Sequence, residues 1–144
     1  MLKTELIHPE ILAALAGSGH FSQVLIADGN FPILGNRGPN ARVVHLNLMP
    51  GLVDALTVLD TLLTAVPFQA ATVMQPPADF KSPLHAIYRE KLGGAVAWHE
   101  MERWAFYEKI ASPRTTLMIA TGEQRRFANL LLEIGVVKIA SENF

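Results

Sequence analysis

The sequence predicts an α/β fold: a three-layer α/β/α arrangement around a mostly parallel mixed sheet of about six strands. Three observations carry this reading. Runs with the helical period of about 3.6 alternate along the chain with short β-rich runs. Several of those β-rich runs are apolar right through, as strands covered on both faces are. Half of the 144 residues are hydrophobic and only 17% are Asp, Glu, Lys or Arg, a balance that excludes intrinsic disorder. A chain of this length reads as one domain, residues 1–144.

The elements follow in order. His8-Pro9-Glu10 opens a helix, because proline suits the first turn and a carboxylate the amino-terminal dipole. Ile11, Leu12 and Leu15 form its apolar face, and Gly17-Ser18-Gly19 stops it. Residues 23–28 read as a strand, residues 29–40 as a Gly/Pro/Asn-rich loop and residues 42–47 as a second strand. Residues 51–66 carry Leu52, Ala55, Leu56, Leu59, Leu62 and Leu63 at amphipathic helical spacing. Residues 71–74 form a short strand stopped by Pro76-Pro77. Ser82-Pro83 is an N-cap and first-turn pair for a helix to about Leu92. Residues 95–98 read as a strand, 102–110 as a helix and 115–121 as a strand with a continuous apolar middle. Residues 129–137 are a last helix or strand that ends near Gly135.

Composition narrows the function. Twelve basic and thirteen acidic residues give a net charge of −1, which argues against the basic face that nucleic-acid binding requires. The chain has no cysteine, so thiol catalysis, disulfides and zinc–thiolate sites are excluded and a reducing, cytoplasmic setting is expected. No secretory signature opens the chain, and no apolar run approaches a membrane span. The charged share lies below the usual figure of about 25%. A small protein covers its surface with charge, so the deficit points to a face covered by another copy of the chain.

Most short motifs fail on context. Gly17-Ser18-Gly19 ends a helix, the reverse of a dinucleotide fingerprint. The five histidines lack metal-ligand spacing, so no metal is expected. His45 and His85 read as structural or solvated, and His99-Glu100 as an exposed strand end. No Gly-x-Ser-x-Gly is present. Gly122-Glu123-Gln124-Arg125-Arg126 reads as an anion site or, by preference, a solvated helix start. In parallel sheets ligands bind beyond the carboxyl ends of strands, which singles out Asp28-Gly29-Asn30 and Gly122-Glu123. His20 lies at the carboxyl end of the first helix. It is either a plain turn histidine, the preferred reading, or a proton carrier near neutral pH. If helix and strand pack antiparallel, His20 and Asp28 lie about 20 Å apart, at opposite ends of one strand. They then share a site only if different subunits supply them or the loop folds back.

Four runs in register then resemble one family. They are Gly17-Ser18-Gly19-His20; Ile26-Ala27-Asp28-Gly29-Asn30-Phe31-Pro32; Arg103-Trp104-Ala105-Phe106-Tyr107-Glu108; and Thr121-Gly122-Glu123 with Asn129 and Gly135-Val136. Together they resemble the ribose pyranase and L-fucose mutarotase family, over nearly the whole chain. The resemblance implies a cofactor-free interconversion of anomers of a free sugar, L-fucose or a relative, with ribose-type pyranose–furanose exchange or mere sugar binding as alternatives. It implies a homo-oligomer, a decamer of stacked pentameric rings, with sites at subunit contacts. It makes His20 the catalytic proton donor and Asp28, Arg103 and Asn129 sugar-binding residues, Arg103 being the mark of the fucose branch. The family generally shows Tyr-Gly-Asn or Tyr-Ala-Asn where this chain has Phe127-Ala128-Asn129, so Phe127 offers a stacking face, as Trp104 could, but no hydroxyl.

Overall fold

In the structure, a computed structural model that describes residues 1–143, the apolar runs pair into one six-stranded sheet. Its strands are β1 (Gln23–Ala27), β2 (Arg42–His45), β3 (Phe68–Met74), β4 (Ala97–Met101), β5 (Thr115–Ala120) and β6 (Leu130–Ile134), in the order β2-β5-β1-β6-β3-β4. β6 runs antiparallel to both its neighbours, β1 and β3, and the other pairings are parallel. The ambiguous last element is therefore a strand. Leu130, Leu131 and Leu132 are buried between two neighbours and under both faces, so its continuous apolar run is a strand's and not a helix's.

Four helices cover the sheet: α1 (Pro9–Ala16), α2 (Ala55–Leu63), α3 (His85–Leu92) and α4 (Arg103–Ile110). Alternation along β1 shows the layering. Val24 and Ile26 join a core with Ile11, Leu15, Leu59, Leu62 and Tyr88 of α1, α2 and α3. Leu25 and Ala27 face the other way, into a core with Phe106 and Ile110 of α4. Each large apolar side chain buried there contributes roughly 1.5–3 kcal/mol. No helix among the described residues is long and apolar enough to cross a membrane.

Local chemistry sets the boundaries and corrects several of the expected ones. α1 begins as expected at Pro9, with the His8 ring nitrogen accepting from the Ile11 amide at 3.4 Å. α2 begins at Ala55 and not near Gly51, because the Asp54 carboxylate caps it by accepting from the Thr57 amide at 2.9 Å. The chain before it turns at Gly51 and bridges Met49 to Leu52. Ser82 does not cap α3 directly. Its hydroxyl accepts from the Leu84 amide at 3.3 Å, and the helix starts one residue later, at His85. β4 lies further along the chain than expected, at 97–101, because Gly93 and Gly94 end α3 and the next residues complete the turn.

Candidate functional site

The site forms where β1 runs out beside the start of β6. Antiparallel pairing sets Ile26 against Leu130, so the residues just beyond, Asp28 and Asn129, meet although 101 positions separate them. The Asp28 amide donates to Asn129 Oδ1 at 2.8 Å, and Asn129 Nδ2 donates back to Asp28 Oδ2 at 3.2 Å. The Asn30 amide donates to Asp28 Oδ1 at 3.0 Å. Both side chains are buried. Burial pushes the Asp28 carboxyl above its ordinary range, and the backbone amides that donate to it offset only part of that shift.

Asp28 and Asn129 lie in a cavity of about 190 Å³. Phe31, Tyr107 and Phe127 give it aromatic walls, and exposed Arg103 and Arg126 bring guanidiniums to its lining. Arg103 opens α4, so Tyr107, four residues on, shares its helix face. The Phe31 and Tyr107 rings meet edge to face at 5.3 Å. The Arg126 guanidinium sits 4.4 Å over the Phe80 ring, which in turn packs 5.2 Å from Phe127.

Phe127 adopts the left-handed region, φ 59°, which is costly for a bulky residue unless its surroundings hold it. α3 holds it. His85 Nε2 donates to the Phe127 carbonyl at 2.8 Å, and one helical turn on the Tyr88 hydroxyl donates to the Ala128 carbonyl at 2.7 Å. Burial lowers the His85 pKa, which favours the neutral ring, and a carbonyl partner requires the proton on Nε2. Burial likewise pushes the Tyr88 hydroxyl far up and keeps it a donor. His85 is thus structural, as its place in the sequence suggested. Tyr88→Phe leaves the buried Ala128 carbonyl unpaired and is expected to cost about 1–2 kcal/mol in urea unfolding; an unchanged midpoint would contradict the clamp.

The run 122–126 is not a helix start. It is a loop whose own carboxylate occupies the Arg125 guanidinium, while Arg126 turns to the Asp28 cavity. Glu123, 3% exposed, accepts from Arg125 Nε and Nη2 at 2.7 Å each, from the Arg125 amide at 3.0 Å and from the Ala55 amide at 3.2 Å. Burial alone would raise the Glu123 pKa, but the Arg125 side chain and the two amides pull it down to about 2. The Glu123 carbonyl accepts from the Gly29 amide at 2.8 Å, so this buried ion ties the loop both to α2 and to the residue after Asp28. Gly122 is required beside it: a Cβ there would lie 2.5 Å from the Met49 carbonyl oxygen and 2.6 Å from that of Leu52.

Of the five residues singled out from the sequence, Asp28, Arg103, Phe127 and Asn129 share the cavity. His20 does not. It sits exposed in the turn before β1, with Nε2 2.8 Å from Gln69 Oε1. The five residues of β1 separate it from Asp28 by roughly 17 Å along the strand. Trp104 is 69% exposed and touches the site only through the edge of Tyr107, so Tyr107 is the wall that Trp104 was expected to supply. Met74 was missed, because it stands in no pattern that marks it, and Arg126 was in view only as part of the possible anion site at 122–126; the end of β3 and the turn at Phe127 bring them into the cavity. Among the described residues, no group of three or more His, Asp or Glu is placed to hold a metal ion.

Comparison with known proteins places this geometry. Residues 1–137 match the model of the RbsD / FucU transport protein family. The chain belongs to this family. Human fucose mutarotase is 33% identical over 144 aligned residues, covering 93% of this chain and 92% of its own. A D-ribose pyranase of Pseudomonas syringae pv. tomato is 29% identical, covering 95% and 99%. The crystal structure of FucU from Bifidobacterium longum superposes with a TM-score of 0.78 at 35% identity, covering 92% of this chain and 96% of that one. This RbsD/FucU member therefore spans nearly the full length of its relatives.

Proposed function

We propose that the chain is a cofactor-free sugar mutarotase that interconverts the anomers of a free monosaccharide, L-fucose or a close relative. The observation that carries this is the reciprocal Asp28–Asn129 pair buried in a small cavity with Arg103 in its lining. A carboxylate, an amide and a guanidinium match a ring of hydroxyl groups, and Phe127 and Tyr107 match its apolar face. The volume lies below the ~300–1,000 Å³ of pockets for drug-sized ligands, as suits a single sugar ring.

Anomer exchange passes through the open-chain aldehyde. The anomeric hydroxyl loses a proton as the ring C–O bond breaks, and the ring oxygen gains one. Closure on the other carbonyl face reverses both transfers. The step needs a group that gives and takes a proton near neutral pH, and general acid–base help of this kind is worth about 10²- to 10⁴-fold. His20 is assigned that role, with Asp28, Arg103 and Asn129 holding the hydroxyl groups. Because β1 separates His20 from the cavity, a neighbouring copy would supply it, in a homo-oligomeric ring and by family likeness a decamer of stacked pentamers. The shortage of charge and the exposed Leu48, Met49, Trp104 and Val137 side chains support such contacts. A cytoplasmic setting fits a chain without cysteine.

Arg103 favours fucose over ribose, as does the human fucose mutarotase at 33% identity against 29% for the pyranase. Saturation-transfer NMR on L-fucose, D-ribose and related sugars tests the assignment. Accelerated exchange on fucose is the expected result, and exchange on ribose alone would make the protein a pyranase. Binding without acceleration would leave a sugar-binding protein, the reading that the absent hydroxyl at Phe127 favours; Phe127→Tyr should then switch turnover on.

A further inference from the structure

His20 is exposed, yet its ring is held on two sides. The Phe21 ring stacks on it at 3.8 Å and 20°, and Gln69 Oε1 lies 2.8 Å from Nε2. The turn that carries it is pinned to the end of β6: the Phe21 amide donates to the Ile134 carbonyl at 3.0 Å, and the Ile134 amide to the Ser22 carbonyl at 2.9 Å. Phe21 accepts a left-handed backbone, φ 71°, to make this turn.

Gln69 reaches His20 because β3 bulges there. Phe68 pairs with Ile134 and Ala70 with Glu133, which leaves Gln69 as the extra residue between two consecutive partners. A bulge of this kind re-aims a side chain, and bulges concentrate near active sites. Gly135 leaves the room: a Cβ there would lie 3.3 Å from Gln69 Cβ. Gln69 Nε2 donates to Glu133 Oε1 at 2.6 Å. An ionised carboxylate only accepts, so it fixes the amide with its NH₂ toward Glu133 and its oxygen toward His20. That oxygen also only accepts, so Nε2 of His20 must carry a hydrogen.

We infer that Gln69, oriented by Glu133, is a positioning residue that makes Nε2–H the neutral form of His20 and leaves Nδ1 to exchange protons with the sugar. This rests on the reading that His20 moves the proton. It extends that reading by two residues, neither of which touches the Asp28 cavity. The relay acts as a carboxylate–imidazole pair does in other acid–base sites, with an amide interposed: it sets tautomer and ring orientation without itself taking the proton.

The test uses the full-length, assembled protein labelled with ¹⁵N-histidine, with His20→Ala identifying the His20 signals. In alkaline buffer, where the ring is neutral, the parent should show the Nε2–H tautomer. Gln69→Leu and Glu133→Leu should show a mixture of both tautomers. Glu133→Gln offers a donor as well as an acceptor, so it no longer fixes the Gln69 amide and should show a mixture too. In exchange assays, Gln69→Leu should lower kcat about 10-fold, a part of the general acid–base contribution, with KM within about twofold. The double variant should be no worse than either Leu variant, because the two residues act as one unit. Sedimentation and unfolding midpoints matching the parent would exclude a merely structural loss. A parent His20 that is mainly Nδ1–H would overturn the inference. So would full kcat in Gln69→Leu when His20→Ala abolishes exchange. If the parent accelerates exchange of no sugar, the proposed reaction falls and the catalytic part of the inference with it, while the nitrogen spectrum still decides whether Gln69 sets the tautomer.

Discussion

His20→Ala is expected to lower the acceleration of anomer exchange by about 10²- to 10⁴-fold, the worth of a general acid–base group, with sugar affinity within a few-fold of the parent. Asp28→Ala should instead lose affinity, because it removes the carboxylate to which Asn129 and the Asn30 amide are fitted. The two variants together make a sharper test. β1 holds His20 and Asp28 at opposite ends of one strand, so each proposed site takes its histidine from one copy and its aspartate from another. Equal amounts of the two variants, co-assembled at random, should then recover about a quarter of parental activity, since half the copies keep each residue and the two choices are independent. At sugar well below saturation, neither variant alone should approach that level. If each site drew both residues from one chain, every site in the mixture would lack one of them. No recovery in a verified mixed oligomer would sink the shared site.

Acid unfolding should report Glu123. Its folded pKa of about 2 lies below the ordinary 4.5, so its contribution to stability is fully present above 4.5 and is lost as pH falls toward 2. At 1.36 kcal/mol per unit the shift amounts to about 3 kcal/mol, and screening at the partly exposed Arg125 guanidinium reduces it to about 2. Glu123→Gln should therefore cost about 2 kcal/mol at neutral pH and flatten the fall in stability between pH 4.5 and 2. Glu123→Ala should cost about 3 kcal/mol, because the buried Ala55 amide then loses its acceptor as well. Asp28 works in the opposite sense. Its raised folded pKa means that the folded chain takes up its proton first, a gain in stability as pH falls that offsets part of the acid loss, so Asp28→Asn should steepen the acid limb. Urea unfolding at a series of pH values separates the two, and an unchanged acid limb in Glu123→Gln would contradict the role given to the buried ion.

The elements that could be read from the sequence were those whose cause is local. α1 carries its proline and its stop within ten residues, and β5 and β1 announce themselves by unbroken apolar runs. Boundaries slipped where a side chain further along decides them. Asp54 sets the start of α2 against the pull of Leu52, and glycines push β4 two residues on. The site was legible as a list of residues, four of which share a cavity. Its supports were not. His85 and Tyr88 hold the Phe127 turn from 42 and 40 residues away, and nothing near them in the chain marks that duty. The Glu123–Arg125 pair was in view, but sequence cannot tell whether a carboxylate will turn inward to its neighbour or outward to water.

The sequence by itself determined the α/β class, the strand-end position of Asp28 and the kinship that names the chemistry, because period, capping and motif order are properties of neighbours along the chain. Only the tertiary structure decided that β6 enters the sheet antiparallel between β1 and β3. That one pairing brings Asn129 to Asp28 at one end of the sheet, and Glu133 and the bulged Gln69 toward His20 at the other. Strand pairing is set by which apolar faces can be buried together across the whole sheet, a sum over distant residues that no local window contains.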